Sequence, residues 1–357
     1  MASYEKRENG WTVRFRQNGS NKRLSGYKTK KEAELAYFKE SAINKPTGAD
    51  ITLEQLYELF KDYKRLRVKE SSYICLVQAI RDYIIPYFGK KQVNKITSAD
   101  ILKWQNDINA TPLKFCTKDR IYTNFVNLMN YAVKFHALPF NLVSKVGNFK
   151  SDEMKKEITF WTDEEFRRFI IEVDSLIYKA FFSLLYLTGA RKGEALALQW
   201  VDVNLENAVI NINKTYTNKC LNGGYKLTTT KNKSSTREVI IPDTLIKLLV
   251  KLKNYYSQFE GFNNDCFVFG LSRPLSTTDL NRKKEYYCQK SGVRVIRFHD
   301  FRHSHASLLL NKEQNIMLVA QRLGHSDISM TLNTYSHLFP NKQRELMNTL
   351  DIELDKN

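Results

Sequence analysis

Hydrophobic and polar residues alternate near the start of the chain, where Trp11, Val13 and Phe15 are separated by a threonine and an arginine. This period of two places the apolar side chains on one face of a β-strand and the polar ones on the other. The Asn-Gly pair that follows favours a tight hairpin turn, so residues 22–27 are predicted to form the returning strand. Residues 1–45 are therefore expected to form a small sheet backed by one helix.

Capping boxes mark the starts of several predicted helices. In each box a threonine is followed three residues later by a glutamate, glutamine or aspartate, and the two side chains satisfy backbone N–H groups that the first helical turn leaves free. These pairs are Thr29 and Glu32, Thr52 and Gln55, Thr97 and Asp100, and Thr162 and Glu165. Apolar residues also recur at helical spacing through residues 50–148, which predicts a compact bundle of about four helices.

Residues 158–357 combine the strand and helix patterns. A largely apolar helix is predicted from Ile177 to Thr188, and Gly189 ends it. Short strand-like stretches follow, and the chain then has mainly helical patterning to about residue 350. The predicted strands cover residues 209–212, 225–227 and 237–242.

Two polar linkers divide the chain. Residues that break regular structure occupy 44–48, and a charged stretch covers about 148–157. The sequence therefore predicts a multidomain protein that is mainly α-helical with small β-sheets. Its expected domains are a β-sheet with one helix (1–45), a helical bundle (50–148) and a mixed α/β domain with a C-terminal tail (158–357).

The 357-residue chain has a formal net charge of +18, and an excess of this size is typical of a protein that binds a polyanion. Residues 1–150 carry +13 of this charge and residues 151–357 carry +5, so the N-terminal part is the expected contact with nucleic acid. The candidate cations lie on the outer face of the predicted sheet and on one helix of the bundle: Arg14, Arg16, Lys22 and Arg23, then Lys61, Lys64, Arg65, Arg67 and Lys69. The alternative is that they form only the solvated faces of these elements.

Several other protein classes are not favoured. The chain has no run of about 18 apolar residues, and its first residues lack an apolar signal core, so neither membrane insertion nor secretion is expected. The five cysteines are scattered, and none of them forms a C-x-x-C pair. They are expected to be reduced thiols of a cytoplasmic protein, with no zinc site among them.

Five of the six histidines fall between His299 and His337. A metal site is one explanation, because His299 and His303 share one face of a helix and His305 is nearby. No cysteine and no H-E-x-x-H glutamate joins them, however. The sequence therefore predicts no metal site, and the clustering needs another explanation.

Four short blocks of the third segment provide that explanation. They are TGARKGEAL at 188–196, KNKSSTR at 231–237, HDFRHS at 299–304 and LGHSDI at 323–328. Tyr335 follows the histidine of the last block by ten residues. The ordered set of arginine, lysine, H-x-x-R, G-H and tyrosine resembles the tyrosine recombinase (phage integrase) family.

The resemblance implies that the chain cuts and rejoins DNA without a metal or any other cofactor. Arg191 and Arg302 would neutralise the non-bridging oxygens of a pentacovalent phosphorane, since a guanidinium can bind two oxygens at once. Tyr335 would attack phosphorus and form a 3′-phosphotyrosyl link, which releases a 5′-hydroxyl. This part of the chain would then be the catalytic domain.

The resemblance also implies roles for supporting residues. Lys231 would protonate the leaving oxygen, although Lys233 on the same hairpin face is an alternative. His299 would act as a base or hydrogen-bond partner, His325 would donate to a phosphate oxygen, and Glu194 would orient the cluster.

The implied task is to insert and excise a mobile element at attachment sites in double-stranded DNA. Residues 1–45 resemble an arm-binding domain, and residues 50–148 resemble a core-binding, SAM-like domain. The implied partners are the DNA, three further copies of the chain in a tetramer, an excisionase that sets direction and a host DNA-bending protein. The tail at 339–354 would dock on a neighbouring subunit or pack on its own domain.

Other functions share parts of this evidence. A chromosome-dimer resolving recombinase or a single-strand-nicking topoisomerase would have the same active site, but neither accounts for the arm-like segment at 4–42. A non-catalytic DNA-binding regulator would keep the fold, but the intact set of candidate catalytic residues argues against it. At the level of single residues, Arg191 and Glu194 would otherwise be an exposed ion pair, and Tyr335 a core residue.

Overall fold

The computed structural model describes residues 3–7, 9–17, 20–43, 50–150, 159–229, 236–312, 315–324 and 326–335. The chain divides into two compact units, residues 1–154 and 155–357. This boundary falls inside the second predicted linker. The further division of the first unit into a sheet domain and a helical domain stays a prediction.

Three antiparallel strands and one helix form the N-terminal part of the first unit. They are β1 (Ser3–Arg7), β2 (Gly10–Gln17), β3 (Ser20–Tyr27) and α1 (Lys30–Ile43), and the strands pair in chain order. Val13, Phe15 and Ala33 are buried, and the ring of Tyr37 meets Phe15 edge-on with the ring centres 4.9 Å apart. The predicted hairpin and helix are confirmed, whereas β1 is not among the predicted elements.

The register of β2 and β3 decides which cations share a face. Arg14 lies opposite Arg23, and Lys22 lies opposite the buried Phe15. Residues directly opposite each other point to the same side of a sheet. The prediction that Lys22 shares the outer face with Arg14 and Arg23 is therefore wrong, because neighbouring residues of a strand alternate between faces. The side chain of Arg16 lies outside the described part of the chain.

A helical bundle forms the rest of the first unit. Its described helices are α2 (Leu53–Arg65), α3 (Glu70–Tyr83), α4 (Ile85–Phe88), α5 (Ser98–Asn109), α6 (Phe115–Phe135) and α7 (Leu142–Val146). Capping boxes at Thr52 and Thr97 begin α2 and α5, as predicted. The core centres on Phe125 of α6, whose ring contacts Phe88 and Trp104. Since α4 and α7 are short, four longer helices make the bundle.

The second unit combines helices with two small antiparallel sheets. Its described helices are α8 (Asp163–Glu172), α9 (Leu176–Thr188), α10 (Lys192–Ala197), α11 (Asp243–Tyr256), α12 (Thr277–Ser291), α13 (Asp300–Asn311), α14 (Ile316–Leu323) and α15 (Ile328–Tyr335). Its described strands are β4 (Val203–Asn204), β5 (Val209–Ile212), β6 (Lys214–Thr217), β7 (Lys226–Thr229) and β8 (Arg237–Ile240). β4, β5 and β8 form one sheet in that order, and β6 pairs with β7. The three predicted strands are confirmed, β5 with the predicted ends and β7 and β8 with shifted ends, and β4 and β6 are additional.

The predicted apolar helix is α9, which lies at the centre of the second core. Its side chains from Ala180 to Tyr186 are all buried, and it packs against α11 and α13. Gly189 ends the helix with a φ of 65°, a left-handed conformation that glycine adopts without strain. A Cβ atom there would lie 2.7 Å from the side chains of His305 and Leu323, so space also requires glycine.

None of the helices described in either unit is both long and apolar enough to cross a membrane.

Candidate active site

Arg302 lies in the first turn of α13 and is 2% exposed. Its Nη1 donates to the carbonyl oxygen of Gly189 at 3.0 Å, and its Nη2 donates to that of Leu323 at 2.5 Å. These carbonyls lie at the C-terminal ends of α9 and α14, where they lack helical partners and carry the negative end of the helix dipole. Two helix ends therefore hold this guanidinium, and no carboxylate of the described residues pairs with it.

Burial makes this guanidinium less basic than usual. Together with the positive charges of Arg191 and Arg237, it lowers the pKa of Arg302 to about 9. The side chain is still protonated at neutral pH. The site thus contains a cation that water screens little.

Arg191 immediately precedes α10 and contacts Glu194 twice. Its main-chain N–H donates to Oε2 of Glu194 at 3.0 Å, and its Nη1 donates to Oε1 at 2.7 Å. Arg237 donates from Nη2 to the same carboxylate at 3.0 Å. The exposed fraction is 3% for Glu194, 7% for Arg237 and 37% for Arg191. The buried carboxylate of Glu194 therefore joins the buried Arg237 to the more accessible Arg191.

The charge state of Glu194 depends on these arginines. Burial alone would raise the pKa of its carboxyl. The charges and hydrogen bonds of Arg237 and Arg191 outweigh burial and hold the pKa of Glu194 below its ordinary value. Glu194 is therefore a carboxylate at neutral pH and fixes the positions of both guanidiniums.

Tyr335 ends α15 and is 2% exposed. Its ring belongs to a small apolar cluster with Ala306 and Leu323. Its phenol oxygen lies 2.6 Å from Nδ1 of His303. Burial raises the pKa of the Tyr335 phenol, while the positive charge of Arg302 acts in the opposite direction. The phenol is therefore protonated at neutral pH and lies within electrostatic reach of Arg302.

Two neighbouring histidines lie at the start of α13: His299 is its N-cap, and His303 follows one helical turn later. The rings of His299 and His303 are nearly perpendicular, at 83°, and their centres are 4.9 Å apart. Burial, with the charges of Arg302 and Arg191, lowers the pKa of His299. Burial and the neighbouring His299 lower the pKa of His303 to about 4. Both imidazoles are therefore mainly neutral at neutral pH.

His305, the second histidine of α13, is buried and bonded to other parts of the second unit. Its Nδ1 lies 2.8 Å from the carbonyl oxygen of Tyr186, and its Nε2 lies 3.1 Å from Nε of Arg322. Both ring nitrogens of His305 therefore already have partners within the protein. Among the residues that the structure describes, no group of His, Cys, Asp and Glu could hold a metal ion.

The structure brings together most of the residues predicted to be catalytic. One electrostatically coupled cluster contains Arg191, Glu194, His299, Arg302 and Tyr335. Lys231, its alternative Lys233, and His325 lie outside the described ranges. Sequence reasoning missed the contacts of Arg237 and His303. Arg237 could have been noticed as the last residue of the KNKSSTR block. His303 could have been noticed from its helical spacing from His299, but from the sequence alone that spacing suggested only a possible metal site.

The cations of the sheet, which were predicted to bind DNA, belong to the first unit. The Arg14 side chain is 51% exposed, and its Nη2 lies 3.6 Å from Oε2 of Glu5. Arg23, opposite Arg14, is also exposed. These residues form a solvent-facing basic patch in which one carboxylate is included.

The bundle carries the second set of predicted DNA-binding cations. Nζ of Lys64 lies 5.3 Å from the centre of the Phe60 ring. The guanidinium carbon of Arg67 lies 4.1 Å from the centre of the Tyr63 ring. Arg65 is exposed between them. Contact with aromatic rings restricts two of these cations without neutralising their charge.

Comparison with known proteins relates this site to a family. The profile of the phage integrase family matches residues 159–342, and that of the phage integrase N-terminal SAM-like domain matches residues 52–109. The ICEBs1 integrase of Bacillus subtilis is 36% identical over 282 residues, which cover 76% of this chain and 75% of that protein.

Two solved structures have a similar fold. A structure of the Tn1549 transposon integrase in complex with transposon right end DNA gives a TM-score of 0.68 at 20% identity, covering 84% of this chain and 100% of that chain. A structure of a lambda integrase tetramer bound to a Holliday junction gives a TM-score of 0.57 at 17% identity, covering 91% of this chain and 95% of that chain. The motifs, the fold and the family profile agree: this chain belongs to the phage integrase family and is a tyrosine recombinase.

Proposed function

We propose that this recombinase cleaves and rejoins DNA at attachment sites, and that it thereby inserts and excises a mobile element. The proposal is supported by one observation above all. Tyr335 lies within electrostatic reach of Arg302, which is itself coupled to Arg191 and Arg237. A phosphodiester bound beside these residues would meet a phenol that can attack phosphorus and cations that can stabilise the developing charge.

The proposed reaction conserves the energy of the broken bond. The phenol oxygen of Tyr335 bonds to the scissile phosphorus while the bond to the 5′ oxygen breaks, which gives a 3′-phosphotyrosyl link and a 5′-hydroxyl. The 5′-hydroxyl of a partner strand then attacks the same phosphorus and releases the tyrosine. Strand exchange therefore needs no ATP.

The arginines are proposed to stabilise the phosphorane between these states. A guanidinium has five N–H donors, and the carbonyls of Gly189 and Leu323 occupy two of those of Arg302. The other donors suit phosphate oxygens, and a guanidinium fixed by the main chain needs little reorganisation as charge develops. Glu194 supports the reaction by holding Arg191.

The remaining roles rest on the family resemblance. Lys231 is proposed to protonate the 5′ oxygen, with Lys233 as the alternative. His325 is proposed to donate to a phosphate oxygen, and His299 to act as a base or hydrogen-bond partner.

The proposed substrate is double-stranded attachment-site DNA held by a homotetramer of this chain. The exposed cations of the sheet, Arg14 and Arg23, suit contacts with the phosphate backbone, as do Arg65 and Arg67 at the end of α2. Such contacts give affinity without reading sequence. In this proposal residues 1–45 bind arm sites and residues 50–148 bind the core site. An excisionase and a host DNA-bending protein complete the proposed assembly in the cytoplasm.

Substitution of the nucleophile tests the proposal. The attachment sequence is first found by sequencing the DNA that the full-length protein protects, and a nicked copy of it then traps the covalent intermediate. Tyr335→Phe should bind this DNA as the unmodified protein does, because only one oxygen is removed. It should form no covalent adduct on a denaturing gel.

Tyr287→Phe is the matched control. Tyr287 is also buried, and its hydroxyl lies 2.5 Å from Asp174, so this change removes a comparable hydroxyl elsewhere in the unit. It should keep adduct formation. An adduct formed by Tyr335→Phe at the unmodified rate would show that another residue is the nucleophile. Absence of any adduct from the unmodified protein on DNA that it binds would favour a non-catalytic regulator.

A further inference from the structure

The nearest described base to the nucleophile is not the histidine that the family resemblance implies. The phenol oxygen of Tyr335 lies 2.6 Å from Nδ1 of His303. His299, the expected base, contacts the ring of His303 instead. We infer that His303 is a catalytic residue that accepts the phenol proton of Tyr335 during cleavage and returns it during rejoining. This inference rests on the proposed function.

The position of His303 supports this assignment. It lies one helical turn after His299 and one residue after Arg302, whose positive charge acts on its imidazole. The phenol is protonated, so its O–H donates to Nδ1, and the ring hydrogen of His303 is then on Nε2. This short hydrogen bond fixes the orientation of the phenol and allows its proton to move to Nδ1 of His303.

The surroundings of His303 keep its imidazole neutral and ready to accept a proton. The charged and titratable groups that face it are His299, Asp300, Arg297 and Arg302 from α13 and the residues before it, and Tyr335 from α15. Burial is the main cause of its low pKa, and the cations add to burial while Asp300 opposes it. His303 is therefore unprotonated across the neutral pH range.

A weakly basic imidazole does not ionise a phenol before the reaction begins. As the bond to phosphorus forms, however, the phenol oxygen loses electron density and its proton becomes far more acidic. The negative charge of the phosphorane also favours an imidazolium beside it. Proton transfer is therefore coupled to bond formation, as in other general base catalysis.

Each proton in this step has a donor and an acceptor. During cleavage the bond from the Tyr335 oxygen to phosphorus forms, the bond from phosphorus to the 5′ oxygen breaks, and the phenol proton moves to Nδ1 of His303. The 5′ oxygen takes a proton from a separate acid, which the resemblance implies to be Lys231. During rejoining each proton returns by the same route as the tyrosine leaves.

His303→Asn separates the two parts of the inference. The amide oxygen of asparagine can accept a hydrogen bond near the position of Nδ1, but it cannot hold a proton at neutral pH. The rate of adduct formation on the nicked site at saturating protein should fall by about 10²-fold at neutral pH, within the usual range for a lost general base. The unmodified protein should have a nearly flat rate from about pH 6 to 8, whereas the variant should speed up with pH as solvent takes the proton.

A modified substrate distinguishes the base from the acid. With sulfur in place of the bridging 5′ oxygen, the leaving group needs no proton, so the substrate should rescue Lys231→Ala. It should not rescue His303→Asn, because the missing group acts on the nucleophile. Thermal denaturation checks that the variant is folded, and His303→Gln takes its place if the asparagine variant is not.

Three results would overturn the inference. They are an adduct rate and pH profile of the His303 variants equal to those of the unmodified protein, rescue of these variants by the sulfur substrate, and a change of pH profile in His299→Asn but not in His303→Asn. A failure of the proposed function gives a different result. In that case Tyr335→Phe would still form an adduct, or the unmodified protein would form none.

Discussion

Arginine occurs in two contrasting settings in this protein. On the outer face of the N-terminal sheet, Arg14 is 51% exposed and lies 3.6 Å from the exposed Glu5. In the second unit, Arg302 is 2% exposed and is held by two main-chain carbonyls. The guanidinium group is therefore exposed to water at Arg14, whereas at Arg302 it is buried and fixed by hydrogen bonds.

Because of this difference, the exposed arginines are expected to affect DNA affinity, and the buried arginine is expected to affect the reaction rate. Salt screens exposed charges over a Debye length of about 8 Å at physiological ionic strength, so contacts from the sheet would add affinity that falls as salt rises. A buried and fixed guanidinium acts on a developing negative charge in a low dielectric, where it is worth much more. Substitutions in the two regions should therefore change different measured quantities.

The largest effect is expected in the pocket. Arg302→Ala should lower the single-turnover rate of adduct formation by about 10³-fold or more, as the loss of an oxyanion-hole donor does. Its Kd for attachment DNA, measured by gel shift, should change by less than about tenfold, since the phosphate contacts of the surface remain. Arg302→Lys should stay impaired, because an ammonium lacks the planar fork that spans the two carbonyls.

A Kd that rises as much as the rate falls would contradict this contrast. It would show that Arg302 serves binding in the same way as the exposed arginines.

A smaller effect is expected at Glu194. Glu194→Gln keeps the size of the side chain but removes the negative charge between Arg191 and Arg237, so adduct formation should fall by about 10- to 100-fold. Glu172→Gln is the control, since Glu172 pairs with Lys290 in a more exposed ion pair. Equal rates for the two variants would show that the carboxylate does not hold Arg191 for the reaction.

The pH dependence of stability tests the same carboxylate without DNA. Because the folded protein lowers the pKa of Glu194, this group contributes stability above the pKa of an unfolded glutamate, about 4.3. That stability is lost as the pH falls through the folded pKa. The free energy of unfolding should therefore fall more steeply on acidification in the unmodified protein than in Glu194→Gln. Parallel curves would contradict this expectation.

The smallest effect is expected on the sheet. The double variant Arg14→Gln, Arg23→Gln should reduce the slope of log affinity against log salt by up to about 2, since each phosphate contact contributes about 0.9. Its adduct rate at saturating protein should be unchanged. Lys22→Gln is the control, because Lys22 adjoins Arg23 in sequence but lies opposite Phe15 on the other face. An equal loss of slope in the control would show that the face does not matter.

The elements that could be predicted from the sequence are those marked by a local pattern of residues, such as a capping box or a run of strand-forming residues. Thr162 and Glu165 form the capping box that begins α8, and residues 209–212 form β5. Both signals depend only on near neighbours in the chain. β1 lacks such a signal, because most of its residues are polar and exposed, and pairing with β2 is what makes it a strand.

The site shows the same limit. The family motifs identified candidate residues because their order along the chain is itself a signal. The contact of His303 with Tyr335 joins residues 32 apart, and that of Arg237 with Glu194 joins residues 43 apart. Neither spacing corresponds to a turn of a helix or a step of a strand, so only the folded chain identifies these partners.

The two helix ends that hold Arg302 also link folding to substrate. A buried charge destabilises a folded protein unless an opposite charge compensates it, and main-chain dipoles compensate it only in part. The negative charge of Glu194 acts on Arg302 and offsets part of this cost. A phosphate bound beside Arg302, as the proposed function requires, would add a second negative charge, and its binding would stabilise the folded state by mass action. The scissile phosphate would then contribute to the stability of the domain that is proposed to cleave it.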